Sequence, residues 1–283
     1  MEQAKIADST LVNRKSQIVN LTDSAPDAII IRTQVYSECG ICIPEEDQKS
    51  LMKAFIVMGR TIKSSYEELF LCVFLSIMWW VGHSGPIVMM LGLSQQSILL
   101  VILGIPLLVL AAPATVGLHR VANRIANYKR VDSSFFWESA RQNIGKGWLV
   151  YLIHIVLPAA VTFNVWFYIN AASSVMRVIG IAWVWILLLI LMFIQYLFPL
   201  FWQQDEPSIR MILRNAFLLA LRYPLYTFLM FIFLILFGTL STVLTLPLFL
   251  LAPAVLAIGA NCSLVGVLQE MELAPQPPVI SNT

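Results

Sequence analysis

The stretch LAAPATVGLHRVANRIANYKR, residues 110–130, passes within ten residues from apolar, proline-broken chain to one of the most basic segments of the protein. Its reading decides the fold. Such a basic run either holds phosphate or nucleic acid, or marks where a membrane-spanning helix meets lipid headgroups. Leu118, Val121, Ala122 and Ile125 keep helical spacing, while Arg120, Asn123, Arg124 and Asn127 occupy the other side. This pattern predicts a helix leaving the bilayer along its cytoplasmic surface, with Pro113 breaking its regularity near the membrane face. Arg120, Arg124, Lys129 and Arg130 would there meet anionic lipid. A nucleic-acid site needs a basic face free of the membrane, and nothing else in the sequence supports one.

Composition carries the same message over the whole chain. Of its 283 residues, 59% are hydrophobic and 12% charged, against about 25% charged in soluble domains. Long uncharged blocks fall at about 69–91, 97–117, 147–170, 178–202, 224–245 and 246–268. Each approaches the roughly 20 apolar residues a helix needs to cross hydrocarbon. In the first block, Gly82-His83-Ser84-Gly85-Pro86 interrupts the helix pattern, so that span is expected to kink or to end early and re-enter. The first fifty residues lack the basic start, apolar core and small-residue cleavage site of a signal peptide, so the first span is expected to drive insertion.

Cationic residues set the expected orientation. Arg60 and Lys63 precede the first span; Arg120, Arg124, Lys129, Arg130, Arg141 and Lys146 follow the second; Arg210, Arg214 and Arg222 follow the fourth. The opposite side holds only Arg177. Six spans then leave both termini in the cytoplasm.

An amphipathic segment precedes each pair of spans. Leu51, Ala54, Phe55, Met58 and Ile62 form one stripe, Phe136, Trp137, Ala140 and Ile144 a second, and Ile209, Ile212, Leu213, Ala216 and Phe217 a third. Asp47 with Ser50, Asp132 with Ser133, and Asp205 with Ser208 are suited to cap them. The expected fold is therefore an all-α integral membrane protein of six transmembrane helices in three hairpins, each preceded by an interfacial helix. Residues 49–269 form the membrane domain, 1–48 a polar and partly flexible extension, and 270–283 a flexible tail. A short strand is expected near residues 29–36. The segments 105–114 and 246–254 echo one another, as a parallel repeat would, though apolar sequences also mimic one another by composition.

Chemistry-bearing residues are few. Cys39-Gly40-Ile41-Cys42 has the spacing of a metal or redox pair, but no further ligands stand near it, and two reduced thiols are the expectation. No cofactor or metal is expected. Gly82-His83-Ser84-Gly85 echoes a serine-protease motif, yet its serine needs a histidine at matching depth. Counted along the spans, His83 and Ser84 lie towards the outer side, and His119 and His154 towards the inner. His154 is the one ionisable side chain well inside an expected span, which marks it by default as a functional position. With Asn164 and Asn170 on its own helix, Gln195 and Asn261, it either lines a polar path or joins helices by hydrogen bonds. The proline pairs 106/113 and 247/253 could open backbone carbonyls to a ligand or could be packing kinks. Trp79, Trp80, Trp148, Trp166, Trp183 and Trp202 lie mostly near span ends, as an aromatic belt does.

Several short motifs in order resemble the YesL-like family of bacterial integral membrane proteins. They are Ala112-Pro113-Ala114-Thr115, Phe135-Phe-Trp-Glu-Ser-Ala-Arg-Gln-Asn143, Gln195-Tyr-Leu-Phe-Pro199, Leu213-Arg-Asn215-Ala-Phe217 and Arg222-Tyr-Pro224. The resemblance spans about residues 50 to 268 and excludes the CxxC. It implies a multi-span protein of the bacterial cytoplasmic membrane, without established catalytic residues, associated in some members with carbohydrate uptake. The function expected on this basis is a non-enzymatic helper or scaffold beside a carbohydrate transporter permease. The alternative is a transporter or channel in its own right, with a path around His154 and the kinked second and sixth spans. An intramembrane hydrolase is the third reading. The sequence gives no oligomeric state.

Overall fold

The computed structural model describes residues 45–142, 144–171, 173–204, 208–243 and 246–277. These form helices α1 (Glu45–Glu67), α2 (Leu69–Gly82), α3 (Ser84–Ser94), α4 (Ile98–Leu107), α5 (Ala111–Ala126) and α6 (Ser134–Gln142). They continue as α7 (Ile144–Ile169), α8 (Ser174–Ile194), α9 (Leu197–Gln203), α10 (Ile209–Arg222), α11 (Pro224–Val243) and α12 (Leu246–Glu270). No strand occurs among the described residues. The strand expected at 29–36, the CxxC, Asn143 and Asp205 lie outside them.

Five stretches are long and apolar enough to cross a bilayer: Ile98–Ala126, Ile144–Ile169, Ser174–Gln203, Pro224–Val243 and Leu250–Glu270. A sixth arises if Lys49–Glu67 and Leu69–Gly82, which meet at 90°, count as one span. The chain is a multi-pass membrane protein. The apolar block at 69–91 is not one helix: α2 stops at Gly82, and α3 restarts at Ser84 with Pro86 in its first turn, where a missing N–H costs nothing.

The second span extends further than expected. Pro113 has no N–H to offer the carbonyl four residues back, and the chain tightens into a 3₁₀ turn at Leu108–Leu110 before α5 begins. α5 then runs on to Ala126 inside the protein rather than along its surface. Val121, Ala122 and Ala126 are fully buried, and Asn123 and Asn127, on the side expected to be polar, are only 7% and 6% exposed. Both asparagines donate to Gln203 Oε1, at 3.2 and 3.3 Å, so their polarity joins α5 to α9 instead of meeting water.

The three hairpins pair α3 with α4, α7 with α8, and α11 with α12. The first is held close by glycine: a Cβ on Gly85 would lie 2.5 Å from Leu108 N and 2.6 Å from Leu107 C. The hairpins are not equivalent. In α12, 78% of the span window is buried, against 11–28% in the other four. α12 is the central post, with α1, α2, α5 and α11 around it.

α1 lies against this post, and the face it presents differs from the stripe read from hydrophobicity. Ala54, Val57, Thr61 and Ser65 are buried, whereas Phe55 and Ile62 are 61% and 55% exposed. Lys53 pairs with Glu270, Val57 sits by Gly266, and Thr61 sits by Gly259. Small residues thus let two backbones approach, and the large apolar ones face outward to lipid. Trp137 on α6 and Phe217 on α10 are likewise exposed, while Phe136, Ile212, Ala216 and Ala220 are buried. α6 begins as expected near Asp132, whose carboxylate accepts the Ser134 N–H at 3.2 Å and is held below the usual carboxylate range by that bond.

Residues 271–277, the described part of the segment after α12, turn back on its end. Leu273 N returns to Leu268 O at 2.8 Å through Glu272, whose φ is 57°, closing α12 in the manner of a Schellman turn. Ala274 is buried, and Gln276 donates to Gln269 O at 3.0 Å.

Candidate functional site

All three histidines of the chain line one cavity of about 710 Å³. α2 brings Trp79 and Trp80 and ends at His83; α5 brings Thr115 and His119; α7 brings Tyr151, His154 and Ile155. The break between α8 and α9 contributes Gln195 and Phe198, α11 supplies Phe231 to Thr242, and α12 supplies Ala252 to Ala260, including Pro253. Among the described residues, no Asp, Glu, Lys or Arg belongs to the lining.

His83 is locked at both nitrogens. Nδ1 faces Trp79 O at 2.9 Å, and a carbonyl can only accept, so Nδ1 carries the proton. Nε2 then accepts from the Tyr151 hydroxyl at 3.1 Å. The ring stacks on Trp79, with centroids 3.8 Å apart.

The state of His119 follows from Asn261. Asn261 Nδ2 gives one hydrogen to Ala257 O at 2.8 Å and the other to His119 Nδ1 at 3.1 Å. His119 Nδ1 is therefore the acceptor, and its proton resides on Nε2. The ring stacks on Phe198 at 4.8 Å and 13°, and His154 meets the same phenyl at 5.3 Å and 56°. Phe198 thus separates two imidazoles.

The remaining polar capacity is unspent. His154 Nδ1 is buried without a hydrogen-bond partner in the protein. Gln195, only 8% exposed, uses Nε2 on Met192 O at 2.8 Å and Thr227 O at 3.2 Å, and its Oε1 has no partner. Buried polar atoms left in this way cost free energy unless something fills the space and bonds them. Below the cavity, Tyr196 reaches Thr227 at 3.0 Å and Tyr226 donates to Ser263 O at 3.0 Å, tying α9, α11 and α12 together.

Of the positions singled out in the sequence, His154 and Gln195 line the cavity, and Asn261 touches it through His119. Asn164 does not belong: its amide turns back to Ala160 O on its own helix, at 2.8 Å. Asn170 does the same with Trp166 O. The separation in depth expected between His83 and His154 is not kept: His83 Nε2 meets the hydroxyl of Tyr151, one turn before His154 on α7. Ser84 is not among the residues that line the cavity with His119 and His154. Among the described residues, no three His, Cys, Asp or Glu side chains group closely enough to hold a metal ion.

The motif positions scatter. Thr115 lines the cavity, Pro199 and Pro224 sit in the first turns of α9 and α11, and Asn215 holds a buried amide without a partner. Two of the expected headgroup contacts are occupied within the protein. Arg120 lies over Trp202 at 4.7 Å, and Arg124 over Phe135 at 3.6 Å with two bonds to Arg130 O. Lys129, Arg130, Arg210 and Arg214 are exposed.

No family model matches the chain, and neither the curated proteins nor the solved structures yield a match to it.

Proposed function

We propose that this protein binds an uncharged small molecule in the histidine cavity and is a transporter or channel for it. The observation that carries this reading is the convergence of every histidine on one uncharged cavity with buried, unpartnered hydrogen-bonding atoms. Cavities of this size match drug-sized ligands, for which pockets run to roughly 300–1,000 Å³. The wall includes Thr115, two residues beyond Pro113, and Pro253, so the kinked second and sixth spans both border it. The membrane is proposed to be the bacterial cytoplasmic membrane, with six spans and both termini inside.

A non-enzymatic helper beside a carbohydrate transporter permease is the second reading, carried by the motifs that resemble the YesL-like family. It shares the cavity but gives it a sensing or presenting role. Stable recovery of a permease with the protein from native membranes would favour it.

The test of occupancy is direct. Gly238 lines the cavity, and a Cβ there would meet only Leu256 Cδ1, at 3.9 Å, so the site accepts a filling side chain. Protein extracted with its native lipid belt should carry a small molecule, detected by mass spectrometry, that Gly238→Phe loses while keeping its melting temperature. Equal small-molecule content in both proteins would overturn the proposal.

A further inference from the structure

We infer that the cavity takes an uncharged single-chain lipid bearing a hydroxyl or carbonyl head, entering sideways from the hydrocarbon between α7 and α11. The inference rests on the ligand-binding reading above and names the class of ligand.

Three observations carry it. The first is the opening. α7 packs chiefly on α8 and α5, and α11 on α12, α1 and α8, and both α7 and α11 border the cavity. Ile155 on α7 and Ile235 on α11 line it and are still 48% and 47% exposed. The lips of the cavity are therefore apolar side chains on the faces that meet lipid. Further along α11, Ser241 and Thr242 turn their hydroxyls back to Phe237 O and Thr239 O at 2.7 Å, which spends their polarity within the helix.

The second is charge. A phospholipid or an acyl anion in this cavity would bring a negative group, and among the described residues no Lys or Arg lines the wall to compensate it. Burying such a charge unpaired is prohibitive. The third is the polar end. Gln195 Oε1 can only accept, His119 Nε2 donates, and His154 Nδ1 has no protein partner. A hydroxyl head can donate to an amide oxygen, and a hydroxyl or carbonyl head can accept from an imidazole N–H. A fully apolar occupant would leave Gln195 Oε1 and His154 Nδ1 unsatisfied, and a free sugar would leave the apolar part of the wall without a partner.

The experiment uses the full chain in phosphatidylcholine nanodiscs with isotope-labelled 1-monooleoylglycerol at a few mole per cent. Native mass spectrometry should show one monooleoylglycerol per chain, with retention falling at least tenfold in Gly238→Phe. Its phosphorylated counterpart, 1-oleoyl lysophosphatidic acid, should be retained at least tenfold less, and Ile235→Trp should slow loading without lowering the melting temperature. Equal retention by Gly238→Phe would mean lipid bound around the protein only, and would overturn the inference. So would equal retention of the lysophosphatidic acid. Binding of glycerol or maltose from water, with no monooleoylglycerol retained, would also overturn the lipid assignment while leaving the ligand-binding reading standing. That reading fails separately, if native protein carries no small molecule that Gly238→Phe releases.

Discussion

At the scale of single residues, the polar side chains of the spans divide into those that join helices, those that face the cavity and those that turn back to their own helix. Tyr226 belongs to the first group: it is fully buried, and its hydroxyl donates to Ser263 O on α12. Tyr226→Phe keeps the ring and removes one bond, whose net worth is about 1 kcal/mol. Reversible unfolding in mixed micelles should show a loss of that size with no change in retention of a cavity ligand. A loss above about 3 kcal/mol would mean that the hydroxyl holds more than this one carbonyl. The sequence marked His154, Gln195 and Asn261 because a polar residue within an apolar run is conspicuous in one dimension. It could not join His83 and Tyr151 to them, because depth was counted as rise along straight helices. The break at His83 interrupts that straight rise. Asn164 was conspicuous for the same reason as His154, yet rotation about α7 turns it to its own backbone.

At the scale of elements, the positions of hydrophobic segments were legible and their inward faces were not. In water, a large apolar side chain points to the core; beside lipid that rule loses its force, because hydrocarbon welcomes it equally. Phe55 and Ile62 therefore face out, and Ala54, Thr61 and Ser65 face in. Glycines show the same logic and give predictions of opposite sign. Gly85 meets the α4 backbone with no room for a methyl group, so Gly85→Ala should cost about 1–3 kcal/mol. Gly59, inside α1, has nothing within 4 Å of an added Cβ. Gly59→Ala should stabilise by about 0.5–1 kcal/mol through helix propensity alone. Comparing the two unfolding midpoints checks the packing of α3 on α4 as distinct from a general effect of alanine. A neutral or stabilising Gly85→Ala would show that those helices do not approach so closely.

At the scale of the molecule, the order along the chain and the order of burial run against each other. α12, the last span, is the most buried, so the surrounding helices acquire their common partner only when it joins them. Its end also gathers the chain at one pole. Arg60 reaches Ala126 O and Gln269, Lys53 pairs with Glu270, and Gln203 bonds Asn123 and Asn127. Residues 53–60 of α1 and the ends of α5, α9 and α12 thus share one end of the bundle, together with Arg120, Arg124 and Lys129 near the end of α5. Arg177, in the first turn of α8, belongs to the opposite end of the same span. Cationic residues are retained on the cytoplasmic side during insertion, so the pole that holds Arg60 and Arg124 should be cytoplasmic. In a chain whose four cysteines are replaced by alanine, Ser173→Cys should react with a membrane-impermeant maleimide on intact cells. Ser133→Cys, between α5 and α6, should react only after the membrane is opened. The reverse pattern would invert the molecule, and labelling of both sites on intact cells would mean that the chain between them crosses the bilayer an even number of times.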